Sequence, residues 1–159
     1  MKIVRENINF KRGLDPKIAM GIGLTELIYK WMIKTFDEEW FPKYKIDENG
    51  EIILFDAFEI PDGDLSPGFP TYIRFKDILG GIHLDFCKLK YLSGLPEKTR
   101  SYFSCEGNDL MSLNGAPKFV KGDFFCRGNP GKFTKDDVKA VSKVEGKIYS
   151  EDNLVNENS

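Results

Sequence analysis

The chain reads as an α+β protein built on a short β-solenoid of about three coils, with a 21-residue period and a helix at each end. Three observations predict this. A set of residues recurs every 21 positions, apolar residues stand two apart inside each repeat, and apolar residues at helical spacing flank the array.

The repeat is clearest when the stretches from Ile82, Phe103 and Phe124 are laid over one another. Ile82, Phe103 and Phe124 form one column, Leu84, Cys105 and Cys126 a second, and Cys87, Asn108 and Asn129 a third. Leu89 then matches Leu110, Leu92 matches Leu113, Gly94 matches Gly115 and Pro96 matches Pro117. Two apolar residues at spacing two place both side chains on one buried face of a strand. The Asn or Cys that follows can turn inward and donate to carbonyls of the neighbouring coil. Gly94 and Gly115 permit a sharp or left-handed backbone, and the prolines stiffen the return. The pattern L-x-L-x-x-N/C-x-L, then L-x-G-x-P, resembles the leucine-rich repeat, whose coils bury their faces only by stacking.

The flanking elements follow in order. Asp15-Pro16 is a helix-start signal, and Leu24, Leu27, Ile28 and Trp31 predict a helix over 24–36 that packs on the open end of the array. YKIDENGEIILF contains two strand-like runs around an Asp47–Gly50 hairpin turn. FEIPDGDLSPGFP is a Pro/Gly-rich loop, Tyr72–Lys76 a strand, and Gly80-Gly81 the turn into Ile82. After the third repeat, Thr134 and Asp137 form a capping box, with Phe133 and Val138 at staple positions. Val138, Val141 and Val144 share one helical face, so a capping helix is expected over 135–143, then a strand at Lys147–Tyr149. The organisation is a single domain: helical cap 1–40, strands and loop 41–80, repeats 81–133, C-terminal cap 134–149, and a polar, mobile tail 150–159.

Composition narrows the function classes. The 159 residues are 41% hydrophobic with a net charge of −2, enough apolar material for a core and too little positive charge for a generic phosphate-backbone binder. A nucleic-acid partner is therefore disfavoured. No apolar run approaches the roughly 20 residues that cross a bilayer, and MKIVRENINF lacks a signal-peptide core. The three cysteines form no CxxC pair and are expected as free, buried thiols of a reducing compartment. With a single histidine, no metal centre and no cofactor are expected.

NINFKRGLDPKIAMGIG, FPTYIRFKDILGG, LNGAPKFVKGDFFCRGN and FTKDDVKAV together resemble a class of small tailed-bacteriophage proteins with degenerate leucine-rich-like repeats. The resemblance spans about residues 6–149 and implies phage origin, a repeat-built shape and a bias toward protein binding. It implies no catalytic residue. The expected setting is the host cytoplasm or the virion, with the chain a monomer or small homo-oligomer.

Candidate chemistry is sparse. His83 and Asp85 share the outer face of a strand, but Ser93, Ser104 and Ser112 lie in no nucleophile-elbow context, so no catalytic residue is assigned. RGNPGKFT lacks the GxxxxGK[ST] spacing, and Phe133 replaces the hydroxyl residue. A helix start beside Lys132 and Lys135 is still a possible anion site. Residues 37–64 carry ten carboxylates against Lys43 and Lys45, while 117–147 are rich in lysine. Ordinary solvated faces account for this, with nucleic-acid mimicry or electrostatic steering as the sharper readings. The DENGE turn is too short for an EF-hand.

The outward strand positions His83, Asp85, Tyr102, Ser104, Glu106, Asp123, Phe125 and Arg127 form the expected partner-binding face. The core takes the alternate residues, so nothing structural demands an aromatic at Tyr102 or Phe125. The lead expectation is a non-enzymatic phage protein that inhibits or redirects a host or defence-system protein, a counter-defence role of the anti-CRISPR kind. A virion assembly protein and a nucleotide-signal sponge are the alternatives, and the exposed aromatics also permit base stacking.

Overall fold

A computed structural model describes residues 23–60 and 63–153. The helix start at Asp15-Pro16 and the carboxylate of Asp62 lie outside the described residues. Each coil contributes two short strands joined by a corner. The outer strand row is one parallel five-stranded sheet, formed by β3 (Phe58–Glu59), β5 (Ile82–His83), β7 (Phe103–Ser104), β9 (Phe124–Phe125) and β11 (Ile148–Tyr149) in that spatial order. The opposite row comprises β2 (Ile52–Leu54) and β4 (Phe75–Ile78), then β6 (Lys98–Thr99), β8 (Phe119–Val120) and β10 (Lys143–Val144). The result is a parallel-strand solenoid of about four turns, one more than the repeats alone suggest.

The extra length lies at both ends. Phe58 pairs in register with Ile82, and Ile148 with Phe124, each 24 residues away instead of 21. IYSEDN from Ile148 therefore repeats FFCRGN from Phe124, and FEIPDG from Phe58 repeats IHLDFC from Ile82. The segment expected to lead into the array is thus partly its first coil. Ser150 is fully buried in the column of Cys126, and Glu151–Asn153 form a 3-10 turn, so residues 150–153 belong to the last coil and not to a mobile tail.

The core is a set of stacked columns. Phe58, Ile82, Phe103 and Phe124 are all buried without exposure, as are Leu84, Cys105 and Cys126 below them. Asn108 sits within this apolar stack because it satisfies the corner backbone. Its Oδ1 accepts from the N–H groups of Cys87 and Leu89, both at 3.0 Å, and its Nδ2 donates to the Leu84 carbonyl at 2.8 Å. Asn129 repeats the arrangement one coil on, accepting from Leu110 N–H and donating to the Cys105 carbonyl. The inward-pointing Asn that the spacing predicts is present in both coils.

The helix α1 (Leu24–Thr35) buries Leu24, Ile28, Trp31 and Met32, with Leu27 only half-buried. It covers the first coil, where the Trp31 ring meets Phe69 and Phe75 edge-on at 5.8 and 6.4 Å. β1 (Tyr44–Ile46) pairs antiparallel with β2 across the expected hairpin. Asp47 holds that turn, accepting from Asn49 N–H at 2.8 Å and Glu51 N–H at 2.9 Å. Burial pushes its carboxyl up, but those N–H groups and the Lys76 ammonium outweigh it and hold Asp47 below its ordinary range.

Two elements differ from expectation. The strand expected at Tyr72–Lys76 is β4 at Phe75–Ile78, because a turn from Pro70 to Ile73 precedes it and parallel pairing aligns Phe75 and Ile78 with β2. The helix α2 (Lys135–Val141) begins with the predicted Thr134–Asp137 capping box but is inserted between β9 and β10 instead of closing the array. Val144 is accordingly a strand residue, not part of the helical face.

Candidate functional site

Because the core takes Phe58, Ile82, Phe103, Phe124 and Ile148, the alternate residues of the five-stranded sheet face outward. One outward row runs Glu59, His83, Ser104, Phe125 and Tyr149. Asp85, Glu106 and Arg127 lie beyond it, and Tyr102 and Asp123 before it.

The expected face residues divide into two groups. Asp85 is a staple between coils: Oδ1 accepts from Ser104 Oγ at 2.5 Å and Glu106 N–H at 2.8 Å, while Oδ2 meets His83 Nε2 at 3.0 Å. Ser104, at 5% exposure, is consumed by that contact and is not available to a partner, contrary to expectation. Asp123 likewise accepts from Lys147 N–H at 2.7 Å. The order is Ser104–Asp85–His83, with the hydroxyl donating to the carboxylate and not to the imidazole, unlike the order of a nucleophile triad.

The second group presents rings and charge. His83 leaves 49% of its side chain in solvent, so neither helix lies over the sheet there. Tyr102 lies against Gly81, donates to Glu59 Oε1 at 3.2 Å and meets His83 edge-on. Phe125 stacks flat on Tyr149, with centroids 4.5 Å apart, and the Arg127 guanidinium lies 5.3 Å from the Tyr149 ring. Phe125 is half-buried through this stack and is not core. Partial burial and the nearby Asp85 push the Glu106 carboxyl above its ordinary range.

The anion site expected near Lys132 and Lys135 is filled by the chain itself. The Lys135 N–H, the first of α2, donates to the Asp152 carboxylate at 3.2 Å, and Gly128 N–H donates to Glu151 at 2.5 Å. The thiols are chemically quiet: burial pushes Cys87 up to about 11, Cys126 up to about 12, and Cys105 well above its ordinary value. Among the described residues no group of His, Cys, Asp or Glu is placed to hold a metal, and no helix is long and apolar enough to cross a membrane.

Sequence reasoning missed a groove at the N-terminal edge of this sheet, about 860 Å³ in volume. Its walls include Trp40, Phe41, Pro42 and Ile60 on one side and His83, Asp85 and Phe86 on the other. Trp40 and Phe86 are 71% and 73% exposed. The repeat alignment holds the missed signal, since Phe86 occupies the column of Gly107 and Gly128. All three have left-handed backbone, with φ of 55°, 65° and 76°, and only the phenylalanine is strained by it. Tyr149, also missed, becomes a face residue only through the 24-residue last step.

No family model matches the chain, and neither does any curated protein or solved structure.

Proposed function

We propose that this protein is a non-catalytic binding module that engages a partner protein through the outward face of its five-stranded sheet. One observation carries the reading. Phe125, Tyr149 and Arg127 form one half-buried group on the outward sheet face, and Tyr102 lies on the same face beside His83, with none of the four in the core. Aromatic rings and arginine in a rigid, preorganised array are what protein hot spots are made of. The finer part of the proposal is a phage-encoded inhibitor of a host or defence-system protein, and its support is the likeness of the repeat and N-terminal phrases to tailed-phage proteins.

The test is quantitative capture of host proteins by tagged wild-type chain and by Tyr102→Ala, Phe125→Ala and Arg127→Glu, after nuclease treatment. One dominant protein, retained by wild type and reduced at least fivefold by each variant, supports the reading. Equal retention by all four chains removes the sheet face from consideration. A Phe125→Ala chain that melts several degrees lower would mark the Phe125–Tyr149 stack as structural instead.

A further inference from the structure

We propose that the groove beside β3 takes an extended basic peptide segment, in which lysine or arginine side chains alternate with apolar ones. The inference deepens the protein-binding reading above and rests on it.

Phe86 is the first reason. A left-handed backbone costs a non-glycine residue about 1–2 kcal/mol, and the equivalent corners of the next two coils avoid that cost with Gly107 and Gly128. Burial does not compensate at Phe86, whose side chain is 73% exposed and rests only its edge over Gly107. Lys88 and Lys132 share the left-handed backbone, so what sets Phe86 apart is that its exposed ring lines the groove where the next two coils carry glycine. Trp40, 71% exposed at the end of the Glu38–Trp40 turn, presents a second large ring to the same groove.

Charge identifies the occupant. Glu39, Asp56 and Glu59 line the groove beside the His83-paired Asp85, and among the described residues no lysine or arginine does. Asp56 accepts from Lys43 N–H and Glu59 from the Tyr102 hydroxyl, and a carboxylate has acceptor sites beyond one such bond. Aromatic faces beside carboxylates hold a cationic side chain by cation–π attraction and charge pairing together. β3 supplies the extended geometry. It ends the five-stranded sheet, so among the described residues its outer side has no strand partner, and Ala57 and Glu59 line the groove along it. An added strand draws main-chain hydrogen bonds from such an edge while its alternate side chains reach the pockets.

The experiment is fluorescence anisotropy of the full chain with three labelled ten-residue peptides of equal hydrophobicity: alternating Lys/Arg and Val/Leu, the same with Glu for each basic residue, and the same with Ser. The basic peptide is expected to bind at least tenfold more tightly than the other two. Phe86→Gly and Trp40→Ala are each expected to weaken it about tenfold, and Asp56→Asn with Glu39→Gln to flatten its salt dependence. Phe86→Gly preserves the backbone that glycine adopts in the neighbouring coils, and Trp40 is largely outside the core, so both chains should melt near wild type. Equal binding of the acidic peptide, or basic-peptide binding indifferent to both ring substitutions, overturns the proposal; the latter would be charge attraction without a groove. If peptide binding fails while Phe125→Ala and Tyr102→Ala still abolish partner capture, the groove assignment alone is wrong. If capture also survives those two substitutions, the sheet-face reading falls with it.

Discussion

Asn108 joins two coil corners with one amide. Its oxygen takes two backbone N–H groups and its nitrogen gives hydrogen bonds to the carbonyls of Leu84, Cys105 and Glu106, all inside the apolar stack. Alanine there strands several buried backbone groups at once. Since each buried group left without a partner costs about 1–3 kcal/mol, Asn108→Ala is expected to lose about 3 kcal/mol or more in chemical denaturation. A loss below about 1 kcal/mol would show the ladder to be dispensable. Cys87 occupies the same column in the preceding coil with only a thiol contact to the Asp85 carbonyl, and there the Asn108 oxygen provides for its N–H from the next coil. The ladder therefore reaches backward from each Asn, and Cys87 meets the preceding coil through its backbone carbonyl, which accepts from Leu65 N–H.

At the scale of elements, α2 is short and gains its order from its ends. Thr134 and Asp137 cap each other's backbone N–H groups, and Asp152 from the last coil accepts the N–H of Lys135. The acidic side chains also suit the positive end of the helix dipole. Thr134→Ala is expected to cost about 1 kcal/mol in thermal or denaturant unfolding. Hydrogen exchange should show the loss first in residues 135–141, with β7 and β9 unchanged. Uniform acceleration across the sheet would instead mean that α2 is part of the cooperative core. Its capping box and staple were legible in the sequence because they are local. Its position between two coils was not, because the three additional residues of that turn displaced the next repeat from the 21-residue register.

At the scale of the whole molecule, the array has no centre, and each coil is buried by its neighbours. An interior break and a terminal one should therefore differ. Leu110→Asp puts a carboxylate into the fully buried middle column and is expected to abolish the native near- and far-ultraviolet circular dichroism. Ile148→Asp, in the half-buried last coil, is expected to leave a folded chain with a lowered Tm and rapid exchange confined to β10 and β11. Identical collapse of both would show a single all-or-none unit. The two proposed surfaces follow from the same architecture: the outer sheet turns its alternate residues outward in every coil, while its N-terminal end meets the Trp40 and Phe41 segment and forms a groove.

The coil, its 21-residue step, the columns that fill it, the hairpin at Asp47–Gly50 and the start of α2 were all legible in the order of residues. These are set by periodicity and by contacts within a few residues, and both are written in the order of the chain. The sequence also placed His83, Tyr102, Phe125 and Arg127 on one outward face, since strand alternation leaves no other choice. Tertiary structure alone decided the rest. It joined the coils at Phe58 and Ile148 across longer steps, buried Ser104 under Asp85, closed the Lys135 end of α2 with Asp152, and stacked Tyr149 on Phe125. It also brought Trp40 to the same groove as Phe86, 46 residues later in the chain. Pairings at such separations depend on which coil stacks on which, and that is settled by packing across the array, not by local spacing.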